Sequence, residues 1–260
     1  MSLFYRLMRA LYDQLYGRQH MLHYPLYRSD IQCLMQGQIY FTEFCLELVA
    51  PLKGRRVLDI GCGNGVQTMY IHEHYRPAYT HGVDIEPQHV SIARAEAARR
   101  GLEDITFVVD DAQRLASVPG GSVDVVLCIE SAHHYRDKAA FLTQARRALT
   151  PGGVLLIADL LLRREEAPSW LNRRMALYYW TQSKYGAALP EIGFELVSVE
   201  DMTSRLIAGL RTSGRWFEQP KGGTSLGYRI SKALGQALAR LYVHQLTHKL
   251  DYRLFVARKA

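Results

Sequence analysis

The residues with the most chemical potential lie at five places along the chain. The first is Val57-Leu58-Asp59-Ile60-Gly61-Cys62-Gly63-Asn64-Gly65, an apolar run that ends in three alternate glycines. Glycine turns the backbone sharply and leaves no Cβ in a ligand's way, and a helix beginning at Val66 would point free N–H groups at a negative group. A small anionic or zwitterionic ligand is expected there. Asp84 follows Gly65 by nineteen residues, the distance at which an acid in a nucleotide-binding βαβ unit accepts from both ribose hydroxyls. Asp111 lies where it could bond an adenine amino group. Either aspartate alone could be a helix cap or a loop acid; together, beside that loop, they indicate an adenosine. The spacing is G-x-G-x-G, not the G-x-G-x-x-G of dinucleotide enzymes, and Asp59 would repel a pyrophosphate.

The remaining two stretches suit proton transfer. His133 and His134 follow a strand that should end at the same sheet edge, and imidazole is the side chain that exchanges a proton near neutral pH. Asp159, at the close of a later strand, could orient one imidazole or share its proton. The competing reading is that one histidine packs under the next helix.

These residues need a framework, and the apolar pattern supplies one. Strands are expected at 56–60, 81–85, 106–109, 123–129, 153–158, 194–199 and 251–257, with helices between the early ones, including 88–100 and 138–149. Alternation of strand and helix is the mark of a parallel sheet covered on both faces. Before the sheet, Phe4, Leu7, Met8, Leu11 and Leu15 recur at helical spacing, 17–27 reads as a loop around Pro25, and 31–49 as a helix. Residues 1–50 therefore read as a helical cap and 51–260 as the α/β core, with helical lids inserted at about 161–190 and 204–249. The insertion at 168–189 carries Tyr178, Tyr179 and Trp180, which would roof the sheet edge if they are not simply packed.

Composition narrows the class. The chain has 260 residues, 48% of them hydrophobic and 22% charged, enough to bury a full core. No run of eighteen apolar residues is present, and Arg6, Arg9 and Asp13 break any signal-peptide core, so a cytoplasmic protein is expected. Four cysteines without CxxC spacing suit reduced thiols. His72-Glu73-His74 and His20 with His23 are too loosely spaced for zinc, so no metal is expected. The glycines of Gly223-Thr224-Ser225-Leu226-Gly227 imitate a nucleophile elbow but lack a preceding strand. Net charge is +7, and from Asp201 onward eleven Lys or Arg face three acids. That balance favours an acidic partner or a membrane surface, or else is a solvated basic face.

At the glycine loop and its downstream partners the chain resembles the class I methyltransferases that use S-adenosylmethionine, from about Arg56 to Asp159. Gly82-Val83-Asp84-Ile85-Glu86-Pro87-Gln88 resembles the family's ribose and adenine segment, Asp111-Ala112 its adenine-side pair, and Leu149-Thr150-Pro151-Gly152-Gly153 the turn before its fifth strand. Glu130-Ser131-Ala132-His133-His134-Tyr135-Arg136-Asp137-Lys138 and Leu22-His23-Tyr24-Pro25-Leu26-Tyr27 are similar to segments of the small-molecule O-methyltransferases that act on natural products, sugars and tocopherols. The chain departs from them at Pro25, where glycine is usual, and at Tyr135-Arg136, where Met-Pro is usual.

The resemblance implies a Rossmann-like fold with a seven-stranded, mostly parallel sheet and a helical cap. It implies a cofactor site of Tyr27, Asp59, Gly61, Gly63, Asn64, Gly65, Asp84, Ile85, Gln88, Asp111, Ala112 and Ile129, holding S-adenosylmethionine or its product S-adenosylhomocysteine. It also implies a base at His134, or secondly His133, with Asp159, and acceptor contacts from Tyr24, Tyr178 and Trp180. The expected partner is a mostly apolar small molecule. A cyclase of the same fold is the alternative, as is methylation of carbon or nitrogen. Nucleic acid is not expected, because Ile129-Glu130-Ser131-Ala132 differs from the Pro-Pro segment of many base methyltransferases. Peripheral membrane contact and a homodimer remain compatible with the basic C-terminal part and the apolar faces of the first and last helices.

Overall fold

A computed structural model describes residues 20–167, 169–216 and 226–260. The expected helix around Phe4–Leu15 and residues 223–225 of the false nucleophile elbow lie outside them. Seven strands form one sheet: β1 (Arg56–Ile60), β2 (Tyr79–Asp84), β3 (Ile105–Val109), β4 (Val123–Ile129), β5 (Leu149–Leu162), β6 (Phe194–Asp201) and β7 (Leu250–Lys259). Their order is β3-β2-β1-β4-β5-β7-β6, and β7 runs antiparallel to both of its neighbours while the other pairs are parallel. After β3 the chain returns to the far side of β1, so the glycine loop sits at the point where strand order reverses, the place where open α/β sheets take their ligands.

Eight α-helices accompany these strands among the described residues: α1 (Leu34–Glu47), α2 (Val66–Tyr75), α3 (Pro87–Arg100), α4 (Lys138–Ala148), α5 (Trp170–Arg174), α6 (Gln182–Ile192), α7 (Thr203–Trp216) and α8 (Leu226–His248). The central strands are apolar on both sides, and a buried cluster forms on each face. On one, Leu58, Val126, Leu155 and Phe255 meet Phe141 and Leu142 of α4 and Tyr185 of α6. On the other, Val57, Val125, Leu156 and Tyr252 meet Phe41 and Leu46 of α1 and Leu206 of α7. Two helix starts are capped locally: the Asp137 side chain accepts from Ala140 N at α4, and Thr181 does the same for Lys184 N at α6.

Two expectations need correction. The fifth strand is longer than 153–158 because β7 pairs with it from Val154 to Leu162, satisfying backbone that would otherwise stop at the edge. The insertion at 168–189 is not one helical stretch. A short α5 gives way to an extended run, in which Tyr178 N donates to His133 O (2.7 Å), Trp180 O accepts from Leu162 N (3.0 Å) and Thr181 bridges Leu162. The aromatic and β-branched run Tyr178-Tyr179-Trp180-Thr181 prefers this extended form once a strand is beside it. Leu177 is buried at its start, and α6 begins only after Thr181.

Candidate functional site

The loop after β1 owes its shape to glycine. Gly61 has φ +77°, and a Cβ there would fall on the side chain of Ser131, whose Oγ donates to Ile60 O (2.9 Å) and so ties the end of β4 to the end of β1. Gly65, at φ +76°, starts α2; a Cβ would come within 2.6 Å of Ala93 and 2.9 Å of Phe107. Gly63 N donates to Asp84 Oδ2 (2.9 Å), and Glu86 N to Asp84 Oδ1 (2.8 Å), which aims that carboxylate at the loop. Beside it Ile85 is 68% exposed, a bare apolar face at a sheet edge. Gln88 is exposed in the first turn of α3, and Asp111, after β3, accepts from Gln113 N (2.9 Å) with Ala112 buried behind it.

Three expected loop contacts point elsewhere. Asp59 is buried under the loop and accepts from Thr68 Oγ1 (2.6 Å); burial pushes its carboxyl up to about 6. Asn64 Nδ2 donates to His20 O (2.9 Å), fastening the loop to the 20–28 segment. Ile129 packs its side chain into the core beneath, so only its backbone reaches the edge. The remaining surface, with carboxylates at Asp84 and Asp111, an apolar patch at Ile85 and a loop without Cβ atoms, fits a nucleoside that carries a cationic or zwitterionic tail. Carboxylates so close would oppose a phosphate chain. The residues present therefore fit S-adenosylmethionine.

The end of β4 carries the proton-transfer groups. A turn of 3-10 helix, Ala132–His134, buries His133 and sets its Nδ1 3.0 Å from Asp159 Oδ1. Asp159 is fully buried in β5, and its other oxygen accepts from Tyr185 Oη of α6 (2.8 Å). A carboxylate against Nδ1 favours a proton on that nitrogen, and in a neutral ring this leaves the lone pair on Nε2. The Tyr179 ring stacks on His133 at 6.2 Å. His134 takes a different course: its Nδ1 lies 3.1 Å from Ala176 O, and burial beside the neighbouring imidazole pushes its pKa down to about 3. Asp159 therefore joins His133 and not His134, the first-ranked residue of the sequence reading.

Around this pair the aromatic residues divide. Tyr178 is held by both backbone groups, its N–H on His133 O and its carbonyl on the Lys138 ammonium, which is buried and lowered to about 8 by that burial. Trp180 packs on Tyr185 (5.2 Å) and against the core, away from His133. Tyr24 N donates to Glu130 Oε1 (2.9 Å), and its ring lies edge-on to Tyr242 of α8 (5.3 Å); Tyr27 is 39% exposed on the same segment. The histidines weighed for zinc are engaged singly: His23 with Thr42, His72 with Thr80 and His74 with Tyr70 O.

Sequence reasoning missed three participants. Tyr185 and Lys138 are brought in by tertiary contacts that no spacing announces. Glu130 lay within a quoted segment but had no role. It sits at φ +54° and accepts from both Tyr24 N and Tyr252 Oη at one oxygen (2.9 Å each), joining the 20–28 segment to β7.

Known proteins resemble this chain in sequence and in fold. Residues 51–197 match the family model described as a methyltransferase domain. The 27-O-demethylrifamycin SV methyltransferase of Amycolatopsis mediterranei is 31% identical over 257 residues, covering 96% of this chain and 93% of that one. A fatty-acid O-methyltransferase of Mycolicibacterium smegmatis is 38% identical over 146 residues, or 56% of this chain; the match spans half the length of that relative. The solved structure of the cyclase SpnF superposes with a TM-score of 0.79 at 23% identity, covering 99% of this chain and 94% of that one, a likeness of fold. The chain belongs to the methyltransferase-domain family. It is of the class that takes the methyl group from S-adenosylmethionine, and small molecules are the acceptors of that class's relatives here.

Proposed function

We propose that this protein transfers a methyl group to a hydroxyl oxygen of a mostly apolar small molecule, with His133 as the general base. The observation that carries the reading is the buried chain Tyr185–Asp159–His133, which ends on an imidazole lone pair at the sheet edge. When bound, S-adenosylmethionine supplies an electrophilic methyl group. Asp84 would hold its ribose and Ile85 its adenine, with the Gly61–Gly65 loop beneath its amino-acid tail.

The chain's own residues then have three tasks. His133 Nε2 takes the proton from an alcohol acceptor as the oxygen is alkylated, and the resulting imidazolium is stabilised by the Asp159 side chain that lies between His133 and Tyr185. Lys138 and His133 hold Tyr178 in place, so that this extended segment walls the acceptor. Tyr24, anchored on Glu130, closes the opposite side, and the 20–28 and 175–180 segments together exclude water and fix the reacting atoms in line. His134, held neutral by its depressed pKa, is a weak base at neutral pH and serves as a wall.

The names of the two relatives, one acting on a rifamycin oxygen and one on fatty acids, support an oxygen acceptor on a large apolar body. The test is incubation with methyl-labelled cofactor and a panel of apolar alcohols and acids, followed by location of the label. Label on oxygen is the expected result. Label on carbon or nitrogen, or substrate conversion without loss of the methyl group from the cofactor, would replace this reading with a different transfer or with cyclisation.

A further inference from the structure

The outer face of α8 has no use in the reaction proposed above, yet it is unusual for a surface helix. Ser231, Tyr242 and Leu246 turn inward, and Tyr242 and Leu246 join the core below. About a third of a turn round the helix from them, Ile230, Leu234 and Leu241 are 59%, 49% and 53% exposed. At 100° per residue these three fall within about 40° of one another, so they form one line about 16 Å long. Exposed Arg229 and Arg240 lie together on one side of it, about 110° further round the helix. Neither α8 nor α7, which packs beside it, contains a single Asp or Glu.

We propose that this face docks the protein on an anionic lipid bilayer. A bilayer surface meets both halves of the pattern at once: the apolar line sinks to the headgroup and acyl boundary while the guanidinium groups meet phosphates. A second copy of the chain would set two acid-free cationic faces together, which like-charge repulsion opposes. An acidic protein would answer the charges and leave the continuous line of aliphatic side chains to be matched by chance. The helix also lies against the segment proposed to wall the site, since Tyr242 abuts Tyr24, whose N–H donates to Glu130. Docking does not depend on the acceptor being an oxygen, or on His133 being the base.

The experiment is flotation of the full chain with vesicles of phosphatidylcholine alone and of phosphatidylcholine with about a third phosphatidylglycerol. Binding to the anionic vesicles, weakening as salt is raised, is expected, with little to the neutral ones. Combined Ile230→Ser, Leu234→Ser and Leu241→Ser should weaken vesicle binding about tenfold or more, with melting temperature and S-adenosylhomocysteine affinity unchanged. Absence of binding to anionic vesicles overturns the proposal, as does a triple variant that floats like wild type. A concentration-dependent dimer that the triple variant abolishes, with no flotation, would assign the face to a second copy instead.

Discussion

Replacement of Glu130 by Gln isolates one buried proton. Burial raises the Glu130 carboxyl from 4.5 to about 8, against the pull of its bonds from Tyr24 N and Tyr252 Oη. Between those values the folded protein keeps a proton that the unfolded chain releases, so this group's contribution to stability is complete below the unfolded pKa and is lost as pH rises towards about 8. At about 1.4 kcal/mol per pH unit the interval sets a ceiling near 5 kcal/mol. A half-buried residue should deliver roughly 2 to 3 of it. Gln has no proton to lose, and its amide oxygen can keep both hydrogen bonds. Urea midpoints of the two proteins, measured between about pH 5 and pH 8, should therefore diverge, with Glu130→Gln gaining roughly 2 to 3 kcal/mol over wild type towards pH 8. The buried Asp59, raised to about 6, adds the same slope to both proteins and cancels in the difference. A difference that stays flat, or that favours wild type as pH rises, would refute a protonated Glu130 as the tie between the 20–28 segment and β7.

Two other substitutions probe the cofactor edge and the wall. Asp84→Ala should weaken S-adenosylhomocysteine binding about ten- to hundredfold in calorimetry, the value of roughly 1.5 to 3 kcal/mol for a charge-assisted pair of bonds; unchanged affinity would remove the ribose assignment. Lys138→Met should leave the Tyr178 carbonyl without its ammonium donor, so amide exchange in 175–180 should quicken while exchange in the β4 core does not; equal protection in both proteins would make Lys138 a packing residue. In wild type, adding S-adenosylhomocysteine should slow exchange in both 20–28 and 175–180, and no change in either would make them static elements.

The parts of the fold that could be read from the sequence are those governed by local pattern. The Arg56–Ile60 strand with its glycine loop, the Pro87–Arg100 helix and Val123–Ile129 are each written in a continuous run of residues, and their periodicity was enough. The full length of Leu149–Leu162 and the extended form of Tyr178–Trp180 were not, because they depend on partners almost a hundred residues away or on the neighbouring strand's edge. The site divides in the same manner. Loop and acids at the ends of β1, β2 and β3 follow from spacing, whereas the choice between two adjacent histidines turns on which ring reaches Asp159, a matter of one 3-10 turn. Tyr185 joins that carboxylate from a helix 26 residues further on, and no motif marks it.

The central claim is tested most directly by single-turnover methyl transfer to the acceptor that the label identifies, comparing His133→Ala and His134→Ala with cofactor affinity measured alongside. The account predicts that His133→Ala slows transfer about 10²- to 10⁴-fold with cofactor binding unchanged, while His134→Ala stays within about tenfold of wild type. Transfer at the wild-type rate by His133→Ala, or the large loss falling on His134→Ala instead, would contradict it.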